Sequence, residues 1–270
     1  MPQLISYKKS NFGGAFFFLD KEKKDALDAV YAFCRAADDI VDDGLPNAAA
    51  RLAALRADIE NIFAGRADSA PQLAAAVKKY KLPKVYFTDL LDGMARDLQT
   101  RVRFKTYEDL QWYMYRAAGV VGLICIEIFG YKNPQARAYA AALGEAVQVT
   151  NILRDVEEDA AINRIYIPLE DMQKFNLTEA DLLQPAAAAP RLNQLMVFEF
   201  ERARGLYARA AAFLPKEDFT GLLPARAMGN IYRAILEKLQ KNPCRFNGKK
   251  VKLNKLEKLY ILYKTWRAKP

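Results

Sequence analysis

Apolar residues recur at three- and four-residue steps along most of the chain, with polar residues between them. This spacing gathers apolar side chains on one face of a helix, whereas a half-buried strand would alternate at every second residue. We predict helices over the following ranges: 21–43, 47–63, 71–80, 83–97, 106–131, 134–158, 191–213 and 219–239. Residues 169–184 are mixed, and 185–190 are predicted to form an alanine-rich loop. The pattern therefore predicts an all-α fold.

The first predicted helix carries a dense group of carboxylates. Asp38 and Asp42 lie four residues apart, after an apolar approach that includes Phe33 and Ala37, so the two carboxylates share one helix face. Like charges at this spacing destabilise a helix by about 0.2–0.5 kcal/mol. We therefore expect a cation close to them.

The helix predicted over 134–158 leads into a second acidic pair. Asp155 and Asp159 are again four residues apart, and Gln148 and Asn151 precede them on the same face. Two such helices facing each other would form an oxygen-rich site for Mg²⁺, with Mn²⁺ as an alternative, because these ions prefer hard oxygen ligands and accept substrate phosphate in the remaining positions. The implied substrate is a diphosphate.

A solvated helix face would explain either acidic pair alone, since acidic pairs at this spacing are common on protein surfaces. The arginines beside them favour a site instead. Arg35 stands three residues before Asp38, and Arg154 stands directly before Asp155. Because an arginine accompanies both acidic pairs, coincidence is the weaker interpretation.

Composition removes several classes of chemistry. The 270 residues include no histidine, which excludes Ser-His-Asp triads and histidine metal sites. The three cysteines form no C-x-x-C motif, and a chain that is 52% hydrophobic without a low-complexity linker predicts one domain over 1–270. No sustained apolar core opens the chain and no run of eighteen apolar residues follows, so we expect neither a signal peptide nor a membrane span, and a cytoplasmic location.

Positive charge is concentrated late in the sequence. Residues 238–270 contain eleven Lys or Arg against a single acidic residue, within a chain of formal net charge +9. Tyr260, Tyr263 and Trp266 are interleaved with these cations, a composition typical of segments that touch a membrane surface. Solvated charge and contact with nucleic acid are the alternatives; we expect peripheral membrane contact and no nucleic-acid partner.

Four stretches, in this order, resemble the squalene/phytoene synthase family, whose members join two allylic prenyl diphosphates head to head. They are residues 31–42 (Tyr-Ala-Phe-Cys-Arg-Ala-Ala-Asp-Asp-Ile-Val-Asp), 92–97 (Asp-Gly-Met-Ala-Arg-Asp), 113–122 (Tyr-Met-Tyr-Arg-Ala-Ala-Gly-Val-Val-Gly) and 148–168, from Gln-Val-Thr-Asn to Tyr-Ile-Pro. The ordered set is more specific than its first motif, which head-to-tail prenyltransferases would also match. The resemblance implies a single-domain helical bundle of the isoprenoid synthase type with a central apolar cavity.

The resemblance also implies roles for individual residues. The metal ligands would be Asp38, Asp42, Asp155 and Asp159, and the remaining catalytic residues would be Arg35, Arg154 and Tyr232. Substrate would be bound by Phe12, Tyr31, Tyr115, Gln148, Asn151, Arg164, Tyr166, Lys249 and Lys250. Tyr115 is expected to point into the cavity, and Arg164 and Tyr166 to lie on an irregular flap over the site.

Products differ within the family. Residues 158–168 look most like those of the presqualene diphosphate synthases, which favours two C15 chains, with NADPH required only if the reaction proceeds to squalene. Residues 113–122 suit phytoene synthases acting on C20 chains equally well. A non-catalytic helical protein that binds membrane through its basic segment is the alternative of another class; it predicts that Asp38→Ala and Asp155→Ala leave function intact.

Overall fold

The computed structural model describes residue 16 and residues 19–42, 47–66, 69–241 and 250–270, without the side chains of residues 186 and 187. Its helices are α1 (Lys21–Asp42), α2 (Ala48–Phe63), α3 (Pro71–Tyr80), α4 (Lys84–Asp97), α5 (Tyr107–Met114), α6 (Val120–Phe129), α7 (Ala136–Ala161), α8 (Leu169–Lys174), α9 (Glu179–Leu183), α10 (Pro185–Phe213), α11 (Leu223–Gln240) and α12 (Lys255–Arg267). A π-helical turn, Tyr115–Gly119, joins α5 to α6. The prediction of an all-α fold is confirmed.

Extended structure in the described part of the chain is confined to two strands of two residues each. β1 (Val102–Arg103) pairs in parallel with β2 (Arg164–Ile165), Val102 opposite Arg164. Parallel strands need a long crossover, and here α5, α6 and α7 supply it. The pairing fixes the segment that follows α7 against the segment that follows α4.

Helix α7 lies at the centre of the bundle. It packs against α10, α11, α6 and the π-helical turn, and its buried side chains include Leu143, Val149, Ile152 and Leu153. Helix α1 packs against α3, α4 and α6. Helix α6 contacts both aspartate-bearing helices, α1 and α7, so the two lie on one core.

Three segments differ from the sequence prediction. Residues 185–190 are the first turns of α10, not a loop, because Pro185 occupies the first helical position, where its missing N–H is not needed. The helix predicted over 106–131 is interrupted by the π-helical turn. Helix α12 was not predicted; it begins at a capping box between Asn254 and Glu257.

The segment Tyr107–Phe129 is long and apolar enough to cross a membrane by length and composition, and half of its most apolar window is buried within the bundle. A core helix of a folded domain satisfies the same criteria. Its packing against α4 and α7 accounts for its apolar character.

Candidate functional site

A cavity of about 720 Å³ lies among α1, α4, α6, α7 and α11. This volume falls in the range of roughly 300–1,000 Å³ that is typical of small-molecule pockets. Its apolar wall is formed by Phe16, which precedes α1, and by residues from every one of these helices: Leu27, Val30, Leu90, Met94, Val121, Ile126, Phe129, Leu143, Met228 and Ile235. The central apolar cavity implied by the sequence is therefore present.

The cavity becomes polar toward the carboxyl-terminal halves of α1 and α7. Along α1 the lining changes from Leu27 and Val30 to Tyr31, Arg35 and Asp38; along α7 it changes from Ala140 and Leu143 to Gln148, Asn151 and Arg154. Tyr232 and Lys250 also line it. A long apolar chamber that ends in arginine, lysine and carboxylate groups suits a ligand with an apolar tail and an anionic head.

Arg35 holds two of the carboxylates on α1. Its guanidinium lies 2.7 Å from Asp38 and 2.5 Å from Asp39. Burial and the neighbouring Asp42 carboxylate nevertheless raise the pKa of Asp38 to about 6. One arginine does not offset the negative charge on this helix face, and the carboxyl end of α1 adds the negative end of its dipole.

The polar stripe on α7 contains an oxygen without a partner. Asn151 donates to Gln148 Oε1 at 3.4 Å, while Asn151 Oδ1 is buried and accepts no hydrogen bond from the described residues. Arg154 binds Asp155 through two bonds, of 2.9 and 2.6 Å. An unpaired buried oxygen destabilises the fold, so Asn151 is suited to a ligand in the cavity.

Arg164 links the ends of the two helices. Its guanidinium donates to Asp42 Oδ1 at 2.6 Å and to the carbonyl of Val41 at 2.7 Å. Burial opposes the charged form, but the hydrogen bond to Asp42 and the nearby acidic groups of Tyr166, Asp97 and Asp42 together outweigh it and raise the pKa of Arg164. The carboxyl ends of α1 and α7 are thus held together by a residue 122 positions from its partner.

Asp159 lies beside this link, in a small hollow of about 10 Å³ that it shares with Arg164 and Tyr166. Burial and the charge of Asp155 raise the pKa of Asp159 to about 7, although Arg164 and Lys250 act in the opposite direction. Its carboxylate has no ion pair within 4 Å among the described cations. Lys250 binds Glu158 at 2.5 Å and lies 3.6 Å from Asp155.

Asp97 supports this region from behind. Buried among α4, α5 and β2, it accepts hydrogen bonds from Tyr113 at 2.7 Å and Tyr166 at 2.8 Å. Burial raises its pKa. Tyr166 is held there, so it does not cover the cavity as expected; the residues after α7 form a paired strand and not an irregular flap.

The predicted site residues thus fall into groups. Those that line the cavity are Tyr31, Arg35, Asp38, Gln148, Asn151, Arg154, Tyr232 and Lys250; Asp42, Asp155, Asp159 and Arg164 lie outside its lining. The expectation for Tyr115 is wrong, because its ring packs on the backbone of its own π-helical turn near Gly119 and does not line the cavity. Phe12 and Lys249 fall outside the described residues.

The four aspartates do not form one cluster. Among the described residues no three acidic, cysteine or histidine side chains are close enough to hold a metal ion, since Arg35, Arg154 and Arg164 each hold one of the carboxylates. The assignment of Asp38, Asp42, Asp155 and Asp159 as metal ligands remains a prediction.

Sequence reasoning missed part of the cavity wall. Cys34 and Cys125, both free thiols, line it, and burial raises the pKa of Cys125 to about 12. Val251, Leu253 and Lys258 line it as well. Helical periodicity places Cys34 on the apolar face of α1 without assigning it to the cavity. Lys250 was expected at the site through the resemblance, but no local signal connects residues 251–258 to a cavity formed by earlier helices.

Comparison with known proteins gives one consistent answer. The family model described as squalene/phytoene synthase matches residues 6–257. The 15-cis-phytoene synthase of Synechococcus elongatus is 34% identical, over 87% of this chain and 81% of its own length. The presqualene diphosphate synthase of Zymomonas mobilis is also 34% identical, over 94% of this chain and 88% of its own length.

Solved structures agree. A dehydrosqualene synthase bound to a ligand superimposes with a TM-score of 0.80 at 30% identity, covering 96% of this chain and 91% of its own. A squalene synthase from Alicyclobacillus acidocaldarius gives 0.78 at 26% identity, covering 86% of this chain and 89% of its own. The fold and its order of helices are shared along nearly the whole chain.

Proposed function

The chain belongs to the squalene/phytoene synthase family of head-to-head prenyltransferases, and from that premise we propose that it condenses two farnesyl diphosphates to presqualene diphosphate. The observation that carries the proposal is the cavity itself. Its apolar walls end at Arg35, Asp38, Asn151, Arg154 and Lys250, so one chamber offers apolar contact to a prenyl tail and charged groups to a diphosphate.

A second candidate is the condensation of two geranylgeranyl diphosphates to phytoene. It is favoured by the 34% identity to the 15-cis-phytoene synthase of Synechococcus elongatus, which equals the identity to the presqualene diphosphate synthase of Zymomonas mobilis. Residues 158–168 support the C15 proposal. NADPH would be needed only for conversion of the product to squalene.

The oxygen donors at this end of the cavity are of the type that binds a divalent cation, although the described residues do not bring three acidic groups together at one point. Burial, together with the charge of a neighbouring aspartate, raises the pKa of Asp38 and of Asp159, and Asn151 Oδ1 lacks a partner among the described residues. Hard oxygen donors of this kind suit Mg²⁺ or Mn²⁺. We assign Asp38, Asp42, Asp155 and Asp159 as its ligands; bound there, the ion would act as a Lewis acid toward the diphosphate.

The arginines would bind and orient the diphosphate. Arg35 and Arg154 line the cavity, and Arg164 lies beside Asp159. Their guanidinium groups present paired donors to phosphate oxygens, and they stabilise the charge that develops as the C1–O bond of the first substrate breaks and the diphosphate leaves with the electron pair. Lys250 adds a further positive charge at the same end.

The apolar wall would protect the allylic cation that remains. Water would quench it, and a chamber lined by Phe16, Val121 and Leu143 keeps water away. The double bond of the second substrate attacks the cation at C1, and loss of one proton closes a cyclopropane. The net products are presqualene diphosphate, one diphosphate and one proton. The Tyr31 and Tyr232 rings line the same space and can face a cation.

We also propose that the protein works in the cytoplasm, at a membrane surface, since its product is a long-chain lipid. The exposed aromatic residues of α12 support this placement.

The experiment is to incubate the purified chain with Mg²⁺ and either farnesyl or geranylgeranyl diphosphate, with and without NADPH, and to identify the lipid. We expect diphosphate release and presqualene diphosphate from the C15 substrate. Phytoene from the C20 substrate alone would select the second candidate. Absence of diphosphate release from both substrates would overturn both.

A further inference from the structure

Helix α12 presents an apolar stripe to solvent. Leu256, Leu259, Tyr260, Tyr263 and Trp266 are 77, 65, 58, 57 and 56% exposed. Their three- and four-residue spacing places them on one face of the helix. We call this set the α12 stripe. A contiguous group of large exposed apolar side chains marks a site of contact with another protein or with a membrane.

The opposite face of α12 is fixed to α11, so the orientation of the stripe is set by packing. Asn230 donates to the buried Thr265 hydroxyl at 2.8 Å, and Arg226 donates to the Thr265 carbonyl at 3.2 Å. Lys238 pairs with Glu257 at 2.9 Å. The helix cannot turn its stripe inward without breaking all three contacts.

The charge around the stripe is of one sign. Residues 250–270 contain seven Lys or Arg and one acidic residue, Glu257, which is already bound by Lys238 and caps the helix. Lys255, Lys264 and Arg267 are exposed on the helix that carries the stripe. A helix with exposed leucine and aromatic residues bordered by cations matches the interface of an anionic bilayer, where apolar groups enter the acyl boundary and cations meet the headgroups.

We propose that the α12 stripe docks on an anionic lipid bilayer, with α12 lying in the plane of the interface. A second copy of the chain fits this surface less well, because an isologous contact would bring two clusters of the same positive charge together. Nucleic acid would satisfy the cations and leave the two leucines and three aromatic rings uncovered. Charge complementarity and apolar area both favour lipid.

Docking through this helix places the cavity beside the membrane. Lys250, Val251 and Leu253, directly before α12, and Lys258 within it line the cavity. The docked surface and one cavity wall are therefore one continuous segment. If the proposed function holds, the long prenyl chains of the product would leave the protein toward lipid and not toward water.

Binding is measured by flotation of the full chain with vesicles of phosphatidylglycerol and phosphatidylcholine in equal parts, and with vesicles of phosphatidylcholine alone. We expect flotation with the anionic vesicles only, weakened by salt. The variant Leu259→Ser/Tyr263→Ser/Trp266→Ser should lower the partition coefficient by about tenfold or more. The matched control Leu183→Ser/Val197→Ser, which changes side chains exposed elsewhere (59 and 44%), should bind as wild type.

Fluorescence gives an independent readout. The chain has two tryptophans, Trp112 and Trp266, so Trp112→Phe leaves Trp266 as the only one. Its emission should shift to the blue on addition of the anionic vesicles. The proposal is overturned if wild type does not float, if it floats equally with both vesicle types, if the triple variant binds as wild type, or if the stripe instead mediates self-association measured by sedimentation.

Activity separates this proposal from the proposed function. Diphosphate release is assayed in dilute detergent without vesicles. Normal turnover combined with failure to float overturns membrane docking alone, and flotation without turnover on either substrate overturns the proposed reaction alone.

Discussion

Glu199 shows what an unbalanced buried charge does outside the cavity. It is 1% exposed and shares Arg202 with the buried Asp171, at 2.8 and 2.7 Å. Two carboxylates thus depend on one guanidinium. Burial, only partly opposed by Arg202, raises the pKa of Glu199 to about 7.

This shift predicts a pH dependence of stability. In the unfolded chain Glu199 loses its proton near its ordinary value of 4.5, while in the folded chain it keeps the proton up to about pH 7. The folded state therefore binds more protons in this window, and the free energy of unfolding should fall as pH rises through it, by on the order of 3 kcal/mol, and then level off.

Urea unfolding at a series of pH values measures this change in the free energy of unfolding. Glu199→Gln should reduce the fall between pH 4.5 and 7 and leave the part that the raised pKa values of Asp38 and Asp159 contribute. Glu201→Gln, at an exposed position on the same helix, should leave the curve unchanged. An identical slope in wild type and Glu199→Gln would contradict the assignment.

The ion pair of Arg164 gives a second prediction about a single residue. Arg164→Gln removes the ion pair to Asp42 and the bond to the Val41 carbonyl, so the carboxyl ends of α1 and α7 lose their link. We expect kcat to fall by about 10²-fold, as for loss of one charge-stabilising group, and the free energy of unfolding by about 1–3 kcal/mol.

The control is Arg101→Gln, which breaks an ion pair to Glu179 from a side chain that is 62% exposed. It should change stability by less than about 1 kcal/mol and leave kcat unchanged. Equal effects of the two substitutions would show that Arg164 is an ordinary surface cation.

Individual residues could be assigned from sequence where the signal was local. The Arg35–Asp38 pair follows from helical spacing. The contact of Arg164 with Asp42 spans 122 residues, and the burial of Tyr166 against Asp97 spans 69. Neither could be predicted, because each depends on how β2 pairs with β1.

At the scale of elements, close backbone approach allows α7 to pack on the π-helical turn and on α6. A Cβ on Gly144 would lie 2.4 Å from the Ala118 carbonyl oxygen, and one on Gly122 would lie 2.5 Å from that of Ala140. Both obstacles are backbone atoms. The helices would have to separate to admit a methyl group.

Gly144→Ala should therefore destabilise the protein by about 2–3 kcal/mol despite the better helix propensity of alanine. Gly205→Ala is the matched control: Gly205 is also helical, and a Cβ there meets nothing within 4 Å, so it should stabilise by about 0.5–1 kcal/mol. Urea midpoints of the two variants should move in opposite directions. If both variants are stabilised, the close approach does not constrain the packing.

Helix positions were largely predictable because apolar periodicity and capping signals are local. The helix over 71–80 was predicted with the observed bounds, Pro71–Tyr80. The start of α10 was not, since residues 185–190 were predicted to form a loop. The alanine run before Pro190 and the buried Leu192 and Leu195 keep the helix intact. Tertiary packing therefore determined where α10 begins.

For the whole molecule, the cavity could be anticipated only through the resemblance. Its lining comes from six helices, from the π-helical turn, from Phe16 and from residues 250–253, and no periodicity within one helix reveals a space between several. Its volume, and the place of α12 at its wall, depend on the assembled bundle.

Ligand binding at the charged end should stabilise the whole fold. With Mg²⁺ and inorganic diphosphate together at about 100 times their dissociation constant, the gain is about 2.7 kcal/mol, which corresponds to a rise of several degrees in Tm. EDTA should reverse the rise, and Asp38→Asn/Asp155→Asn should abolish it. A rise that survives in this variant would place the binding site elsewhere.

Steady-state diphosphate release by Asp38→Asn, Asp159→Asn and the double variant tests most directly whether the acidic pairs of α1 and α7 act on one substrate. Groups that act as a unit are not additive: each single substitution should lower kcat by about 10³-fold or more, and the double substitution should lower it little further, while far-UV circular dichroism stays that of wild type. Near-wild-type turnover in either single variant, or losses that multiply in the double variant, would show that the two pairs do not work together.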